Sequence, residues 1–173
     1  NTAAPCLGRP AVIEQAIHVA AFVAAIGCGL VAGIFFAFSS FVMPALGRIP
    51  PEQGINAMQS INIVVMNASF LSLFVGTGAI CLALLAGSYV WWEGTSGKLL
   101  LFASLLYLVG CFGVTRACNI PLNDALAAAR PATPEAAALW AHYLKRWTIW
   151  NTVRTVAPTA SMALFVAALL LKA

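Results

Sequence analysis

Four long apolar runs constrain the fold of this 173-residue chain more than any other feature of its sequence. Each run reaches the roughly 20 apolar residues that a helix needs to cross a bilayer, where the chain must satisfy its own backbone hydrogen bonds. Only 8% of the residues are charged, against about a quarter in soluble domains. The sequence therefore predicts one all-α domain over residues 1–173, an integral membrane four-helix bundle. The predicted spans are residues 17–42, 63–90, 99–118 and 151–171.

Aromatic and positively charged residues lie at the predicted membrane boundaries. The interfacial tryptophans are Trp91, Trp92, Trp140, Trp147 and Trp150. With four spans, both termini share one side of the membrane, whose positive residues are Arg9, Lys98 and Lys172. The positive residues of the other side are Arg48, Arg116, Arg130, Lys145 and Arg146. Because cytoplasmic loops are enriched in Lys and Arg, we expect a bacterial inner membrane protein with non-cytoplasmic termini. The net charge of +4 forms no patch, which argues against nucleic-acid binding.

Prolines divide the segment between the first two spans. Pro44 and residues 47–51 are expected to stop the first helix, and Pro51 suits the first position of a new one. This new helix is expected to continue into the second span with polar side chains along one narrow face. The polar residues of that face are Asn56, Gln59, Ser60 and Asn67.

The segment between the third and fourth spans is predicted to hold a short extra helix. Ile120 precedes Pro121, and a residue before proline is disfavoured in the α conformation. We therefore expect the third helix to break within residues 119–123. A short helix over residues 122–130 is expected to follow.

The fourth span carries the most unusual polar residues of the chain. Thr133 is expected to cap a helix that begins at Pro134 and continues to the C-terminus, with a bend at Pro158. Arg154 lies about one turn inside the apolar run, where an unpaired charge costs at least ~2.5 kcal/mol, so it must face protein, water or a ligand. Helical spacing places it on one stripe with Trp147, Asn151, Pro158 and Ser161. The opposite, lipid-facing set contains Val153, Val156 and Leu164.

Three groups of polar residues are predicted to converge on one side of the membrane. Arg116 and Asn119 share a face at the end of the third span, and Asn123 continues it. The polar face that contains Asn67 enters from the same side, beside the start of the fourth span. Buried polar groups must be hydrogen-bonded, so they either lock the bundle together or leave donors free for a ligand oxygen.

The sequence predicts no bound transition metal. His18 and His142 lie on opposite sides of the membrane, about 30 Å apart, so one metal cannot bind both. No carboxylate lies within a span, and no cysteine pair has a metal-binding spacing. His142 and Asp124, the acid beside Asn123, are candidate general bases. The alternative for both residues is an ordinary position at the membrane surface.

Small residues form a ridge at four-residue intervals along the first span, and such a ridge lets another helix approach closely. Its members are Ala21, Ala25, Gly29, Gly33 and Ala37. Packing within the bundle is one interpretation. The other is contact with a second copy or a larger membrane complex through the Gly29/Gly33 face.

Three pieces of the sequence resemble the anthrone oxygenase-like membrane proteins. They are residues 119–126 (NIPLNDAL), residues 147–155 (WTIWNTVRT) and a first-half run from Gly29 through Pro44 to Asn62. The resemblance implies a four-helix membrane bundle. From the characterised fungal members it also implies oxidation of anthrones to anthraquinones by O₂, without metal or flavin. The family's recurring positions correspond here to Asn119, Asn123, Trp147, Asn151 and Arg154.

Residues and resemblance together lead to two hypotheses. The first is a membrane-embedded, cofactor-independent oxygenase that uses O₂ on an apolar polycyclic phenol or ketone of the anthrone type. Arg154, Asn151 and Asn119 are expected to donate hydrogen bonds to the developing oxyanion, with His142 or Asp124 as the base. The expected substrate contacts are Trp147, Trp150, Asn123, Arg116 and Asn67. The second hypothesis is a non-enzymatic accessory subunit of a larger membrane complex; a transporter is less favoured because no inverted repeat is detectable.

Overall fold

The computed structural model of the protein describes residues 11–90 and 94–171. Four of its five helices are long and apolar enough to cross a membrane, so the chain is an integral membrane protein and the predicted all-α fold class is confirmed. Part of the predicted membrane orientation rests on Arg9, Trp91, Trp92 and Lys172, which lie outside the described residues. The helices are α1 (Ala11–Leu46), α2 (Pro51–Val64), α3 (Ala68–Val90), α4 (Thr95–Ala127) and α5 (Pro134–Leu170).

The helices α1, α3, α4 and α5 form a membrane bundle around one hydrophobic cluster, which includes Phe35, Phe74 and Tyr107. The start of α1, the start of α4 and the end of α5 meet at one end of this bundle, where Ile17, Leu100 and Leu169 line a single cleft. The free thiols Cys28, Cys81 and Cys111 are buried in the same cluster as small apolar groups.

A second hydrophobic cluster lies at the other end of the bundle. Three segments build it, and we call them the cap: α2, the Ile120–Ala127 end of α4 and residues 134–147 of α5. Gln59 links α2 to the end of α4, because its Nε2 donates to the backbone oxygens of Leu126 at 2.8 Å and of Ala129, just after α4, at 3.2 Å. This cluster contains Ile55, Met58, Leu126, Trp140, Tyr143 and Trp147 of the cap, together with Met43 of α1.

Helix α1 continues past Pro44 and ends at Leu46, so it stops before residues 47–51 as predicted, and α2 begins at Pro51 as predicted. The helix break predicted at Pro121 does not occur, and α4 continues past this proline to Ala127. At both Pro44 and Pro121 a wide π-helical turn ends two residues before the proline, over Phe38–Val42 in α1 and Thr115–Asn119 in α4. The residues predicted to form a separate short helix therefore belong to the last part of α4, which covers Ile120–Ala127.

The π-helical turns explain how these prolines are accommodated. Met43 donates its backbone N–H to the carbonyl of Phe38, and Ile120 donates to that of Thr115, each five residues earlier. A proline ring in a regular α-helix collides with the carbonyl four residues back and lacks the N–H that would bond to it. The wider turn relieves the collision and shifts the hydrogen-bond register, so the helix can go on.

The second span begins at Ala68, and not at residue 63 as predicted. Asn67 separates it from α2 by capping both helices. Its Oδ1 accepts from the N–H of Phe70 at 3.0 Å, and its Nδ2 donates to the carbonyl of Val64 at 2.9 Å. A short polar side chain that satisfies the first turn of a helix favours a helix start there. The predicted continuous polar face is therefore interrupted at Asn67.

Helix α5 agrees with the sequence analysis in its start and its length. Thr133 caps it by accepting the N–H of Ala136 at 3.2 Å, Pro134 is its first residue, and the helix passes Pro158 and ends at Leu170. The predicted polar stripe, including Asn151 and Ser161, faces the bundle interior and is buried.

The small-residue ridge of α1 packs mostly inside the chain. Ala21 and Ala25 are buried in the bundle cluster. A Cβ on Gly29 would lie 2.8 Å from the sulfur of Met162 on α5, whereas a Cβ on Gly33 would meet no atom of another described helix within 4 Å. Close packing of α1 on α5 therefore accounts for the ridge up to Gly29.

Candidate functional site

A cavity of about 270 Å³ lies between the membrane bundle and the cap. Small-molecule sites are mostly apolar with a few polar groups and range from about 300 to 1,000 Å³, so this cavity is near the lower end. All five helices contribute to its wall. Its aromatic residues are Phe35, Phe38, Phe70, Phe74, Phe112 and Trp147, and its polar residues are Asn62, Thr115, Asn123 and Arg154.

Arg154 is the charged group of this wall and is 94% buried by its neighbours, since only 6% of it is exposed. Its Nε donates to Oδ1 of Asn151 at 3.1 Å, and its Nη1 donates to Oγ1 of Thr115 at 3.2 Å. The guanidinium carbon lies 4.2 Å from the ring centre of Phe35 and 4.9 Å from that of Trp147. Two aromatic faces and two neutral oxygens thus hold the cation in place, and each cation–π contact contributes up to about 2 kcal/mol when desolvated.

The positive charge of Arg154 has no carboxylate partner within the described residues. Its Nη2 group makes no hydrogen bond to any of them, and the residue lines the cavity. A guanidinium offers a planar fork of donors that suits an oxygen anion. The cavity wall therefore presents one cation and free donors to whatever occupies it.

Asn151 positions Arg154 against α1. Its Nδ2 donates to the backbone oxygen of Phe35 at 2.6 Å and to Oγ of Ser39 at 2.8 Å, which leaves Oδ1 for the arginine. The residue is fully buried and does not line the cavity. Asn151 is therefore a positioning residue, which orients the side chain of Arg154 without reaching the cavity itself.

Asn123 supplies a second polar point on the wall, beside the indole of Trp147. Its Oδ1 accepts from Nε1 of Trp147 and from the hydroxyl of Tyr143, both at 2.8 Å. Because an indole N–H can only donate, the oxygen of the amide must face it. Nδ2 of Asn123 is therefore on the other side of the amide and has no hydrogen-bond partner among the described residues.

Asn119 fixes the backbone of Trp147. Its Nδ2 donates to the backbone oxygen of Trp147 at 3.2 Å, and its buried Oδ1 has no partner in the described part of the chain. The residue does not line the cavity. With Asn123 on the indole and Asn119 on the backbone, Trp147 is fixed from two helical positions of α4.

Several residues predicted for the site lie elsewhere. Asn67 is exposed and caps α3, as described above. Arg116 and His142 are exposed on the surface, and Trp150 packs under Arg146 at 5.9 Å. Asp124 is exposed beside Asn123 and does not reach the cavity wall.

The physical reason differs between these residues. Arg116 and Asn119 were expected on one face, but they lie in a π-helical turn, whose wider rotation points three-residue neighbours apart. His142 precedes the buried Asn151 by nine residues on a regular helix, which places it about half a turn around the axis, so it faces outward. Of the predicted site residues, Asn123, Trp147 and Arg154 line the cavity, and Asn119 and Asn151 contact these lining residues without reaching the cavity themselves.

Two polar lining residues, Asn62 and Thr115, were missed by the sequence analysis. Thr115 precedes Asn119 and Asn123 at intervals of four residues, and this spacing could have placed it with them. Asn62 follows the buried Met58 by four residues on α2, which is a weaker signal of the same kind.

In the described ranges, no group of three or more His, Cys, Asp or Glu side chains lies close enough to hold a metal ion. The polar atoms of the cavity are amide, hydroxyl and guanidinium groups. These groups can bind and stabilise an oxygen atom of a ligand, but they do not form a typical transition-metal site.

Comparison with known proteins supports one family. The family model described as anthrone oxygenase matches residues 66–164, which is more than half of the chain. The match contains Thr115, Asn123, Trp147 and Arg154 of the cavity wall. No curated protein and no solved structure matches the chain. The chain belongs to the anthrone oxygenase family.

Proposed function

We propose that this protein is a membrane-embedded oxygenase that oxidises apolar polycyclic ketones or phenols of the anthrone type with O₂, without metal or flavin. One observation carries the proposal: the cation of Arg154 has only neutral partners among the described residues and lies on the wall of a largely apolar cavity. Such a charge is available to an oxyanion that develops in the cavity. Hydrogen-bond donors preorganised for an oxyanion are a major source of catalysis.

The chemistry of an anthrone fits this site. Loss of a proton from its central methylene gives an enolate whose negative charge rests largely on the ketone oxygen. In a water-poor cavity the attraction between this oxygen and the guanidinium of Arg154 is much stronger than in water. The enolate is electron-rich enough to meet O₂ directly, so the protein supplies binding and charge stabilisation.

The shape of the wall favours a flat ligand. The ring of Phe74 is nearly parallel to that of Phe70, at 10° and 5.7 Å, and to that of Phe112, at 12° and 5.1 Å. The three stacked rings form one apolar block on the cavity wall, and a flat fused-ring ligand can pack against it. Asn123 then offers its free Nδ2 to a second polar group of the ligand.

The proposed reaction converts one anthrone and one O₂ into one anthraquinone and one water. The enolate carbon forms a bond to O₂, which is reduced to a peroxide, and a proton completes the hydroperoxide. The second methylene hydrogen then leaves as a proton while the O–O bond breaks, which releases water and forms the new carbonyl. No carboxylate or imidazole lies among the polar lining residues, so the first proton of the bound, neutral substrate passes to solvent while Arg154 stabilises the enolate that forms.

The test measures O₂ consumption by the purified protein in detergent or liposomes with anthrone as substrate. We expect uptake well above protein-free autoxidation, one O₂ per anthraquinone, and one oxygen from ¹⁸O₂ in the new carbonyl. Uptake should survive washing with a chelator. No uptake above autoxidation, together with a stoichiometric protein partner on purification, would favour the accessory-subunit hypothesis instead.

We also place the cap on the cytoplasmic side of a bacterial inner membrane, because five of the eight loop-associated positive residues flank that side. An introduced cysteine in place of the exposed Gln53 of α2 should react with an impermeant maleimide in inverted vesicles and not in spheroplasts. The wild-type chain provides the background labelling of its own cysteines. Labelling in spheroplasts alone would reverse the orientation.

A further inference from the structure

The wall of the cavity has a buried floor and an exposed rim. The floor contains Phe35, Trp147 and Arg154, which are each at most 6% exposed. The rim contains Met66, Val75 and Phe112, which are 63%, 48% and 38% exposed. All six residues line the same cavity. The cavity therefore opens to its surroundings on the side of α3 and α4.

The position of the rim shows what those surroundings are. Met66 lies just before α3, whereas Val75 lies seven residues into it, about 10 Å along a helix axis that rises 1.5 Å per residue. Phe112 belongs to the apolar part of α4. Both helices are apolar enough to cross a membrane. The opening thus extends from the membrane surface well into the hydrocarbon layer.

The opening ends where α3 and α4 are joined. The hydroxyl of Tyr107 on α4 donates to the backbone oxygen of Phe74 on α3 at 2.9 Å. Tyr107 lies toward the other end of the bundle from Phe112, so this bond closes the gap below the rim. The stacked rings of Phe74 and Phe112, whose centres are 5.1 Å apart, form the edge of the opening next to this bond.

We propose that the cavity is entered sideways from the lipid, through the gap between α3 and α4, by a flat apolar molecule dissolved in the bilayer. This inference rests on the proposed function and adds the route by which its substrate arrives. A molecule that partitions into lipid crosses the rim without shedding a hydration shell. Its rings pass the stacked phenylalanines of the wall, and its oxygen reaches Arg154 at the floor.

The test uses a small aryl diazirine dissolved in liposomes that contain the full chain. After illumination, mass spectrometry is expected to find the probe on floor residues such as Phe35 and Trp147 of the wild type. Val75→Trp fills the opening with a large side chain at an exposed position and should reduce floor labelling at least tenfold. Leu82→Trp is the matched control, because Leu82 lies seven residues further along the same helix, is 59% exposed and does not line the cavity.

Each outcome decides the proposal. The lipid route is overturned if floor labelling is equal in Val75→Trp and Leu82→Trp. It is also overturned if an impermeant aryl azide labels the floor from water and the lipid-dissolved probe does not. Thermal unfolding of both variants in detergent shows whether either is misfolded. If Val75→Trp is misfolded, Phe112→Ala replaces it: this variant widens the opening and is expected to raise floor labelling.

Labelling does not depend on catalysis, so it separates the two proposals. If the wild type takes up no O₂ but its floor is labelled and Val75→Trp blocks this labelling, the lipid route holds and the oxygenase proposal is rejected. If O₂ uptake is normal but floor labelling is unaffected by Val75→Trp, the oxygenase proposal holds and the lipid route is rejected.

Discussion

Replacement of Arg154 by methionine tests whether its charge serves catalysis or only structure. Methionine is unbranched and of similar reach, and its sulfur packs well between the aromatic rings of Phe35 and Trp147. The substitution therefore removes the cation and its donors while it keeps most of the apolar contact. Any role of the guanidinium in O₂ chemistry is lost with it.

The structure limits the expected loss of stability. Oδ1 of Asn151 loses its donor, and an unsatisfied buried acceptor costs about 1–3 kcal/mol. Thr115 is not orphaned, because its hydroxyl still donates to the carbonyl of Cys111 at 2.8 Å. Removal of a buried charge also removes its desolvation cost, which offsets part of the loss. We expect a net destabilisation below about 3 kcal/mol.

The expected loss of activity is larger than stability alone can explain. Loss of one oxyanion donor typically lowers the rate by about 10²- to 10³-fold, or roughly 3–4 kcal/mol of activation free energy. We therefore expect anthrone-dependent O₂ uptake by Arg154→Met to fall at least about 100-fold while the protein remains folded. Arg154→Lys keeps the charge but not the planar fork, so its activity should lie between those of Arg154→Met and the wild type.

The assay pairs O₂ consumption with unfolding of the same preparations in detergent. Arg146→Met is the matched control, because Arg146 is an exposed arginine on the same helix and contacts Trp150 outside the cavity. It should change stability by less than about 0.5 kcal/mol and leave O₂ uptake intact. Full activity in folded Arg154→Met would refute the reasoning, and activity lost only in proportion to unfolded protein would make the arginine structural.

Three further predictions concern other residues, and the last of them compares two glycine variants. Asn67→Ala should cost about 1 kcal/mol of stability through loss of the helix cap and leave O₂ uptake per folded molecule unchanged; a rate loss would restore a role in substrate binding. His142→Ala should alter neither the rate nor its pH profile, and a shifted profile would return His142 as the base. Gly54→Ala should cost about 1–3 kcal/mol, because the added Cβ would lie 2.8 Å from the buried ring of Trp140, whereas Gly76→Ala, with no neighbour within 4 Å, should cost nothing measurable. Equal unfolding midpoints for the two glycine variants would contradict that packing.

Helix α5 was predictable because its signals are local. Thr133 and Pro134 mark its start, and the regular 3.6-residue period then assigns Asn151 and Arg154 to one face. A charge inside an apolar run also indicates an inward direction without any knowledge of the partners. The inward stripe of this helix is the part of the candidate site that sequence reasoning located correctly.

The surroundings of that stripe were less predictable because α4 is not a regular helix. The π-helical turn Thr115–Asn119 changes the rotation between its own residues, so Asn119 faces Trp147 while Arg116 faces outward. Asn67 was misassigned for a related reason. Its polarity indicated an inward position, but its amide satisfies the ends of two helices.

By itself, the sequence determined that the chain crosses the membrane four times and that Arg154 faces inward, because hydrophobic length and helical period act locally along the chain. Only the tertiary structure decided what surrounds the charge. The cavity is built from side chains of all five helices, and neighbours such as Phe35, Thr115 and Trp147 are far apart in sequence. Their meeting depends on how the bundle and the cap pack together, which no local pattern specifies.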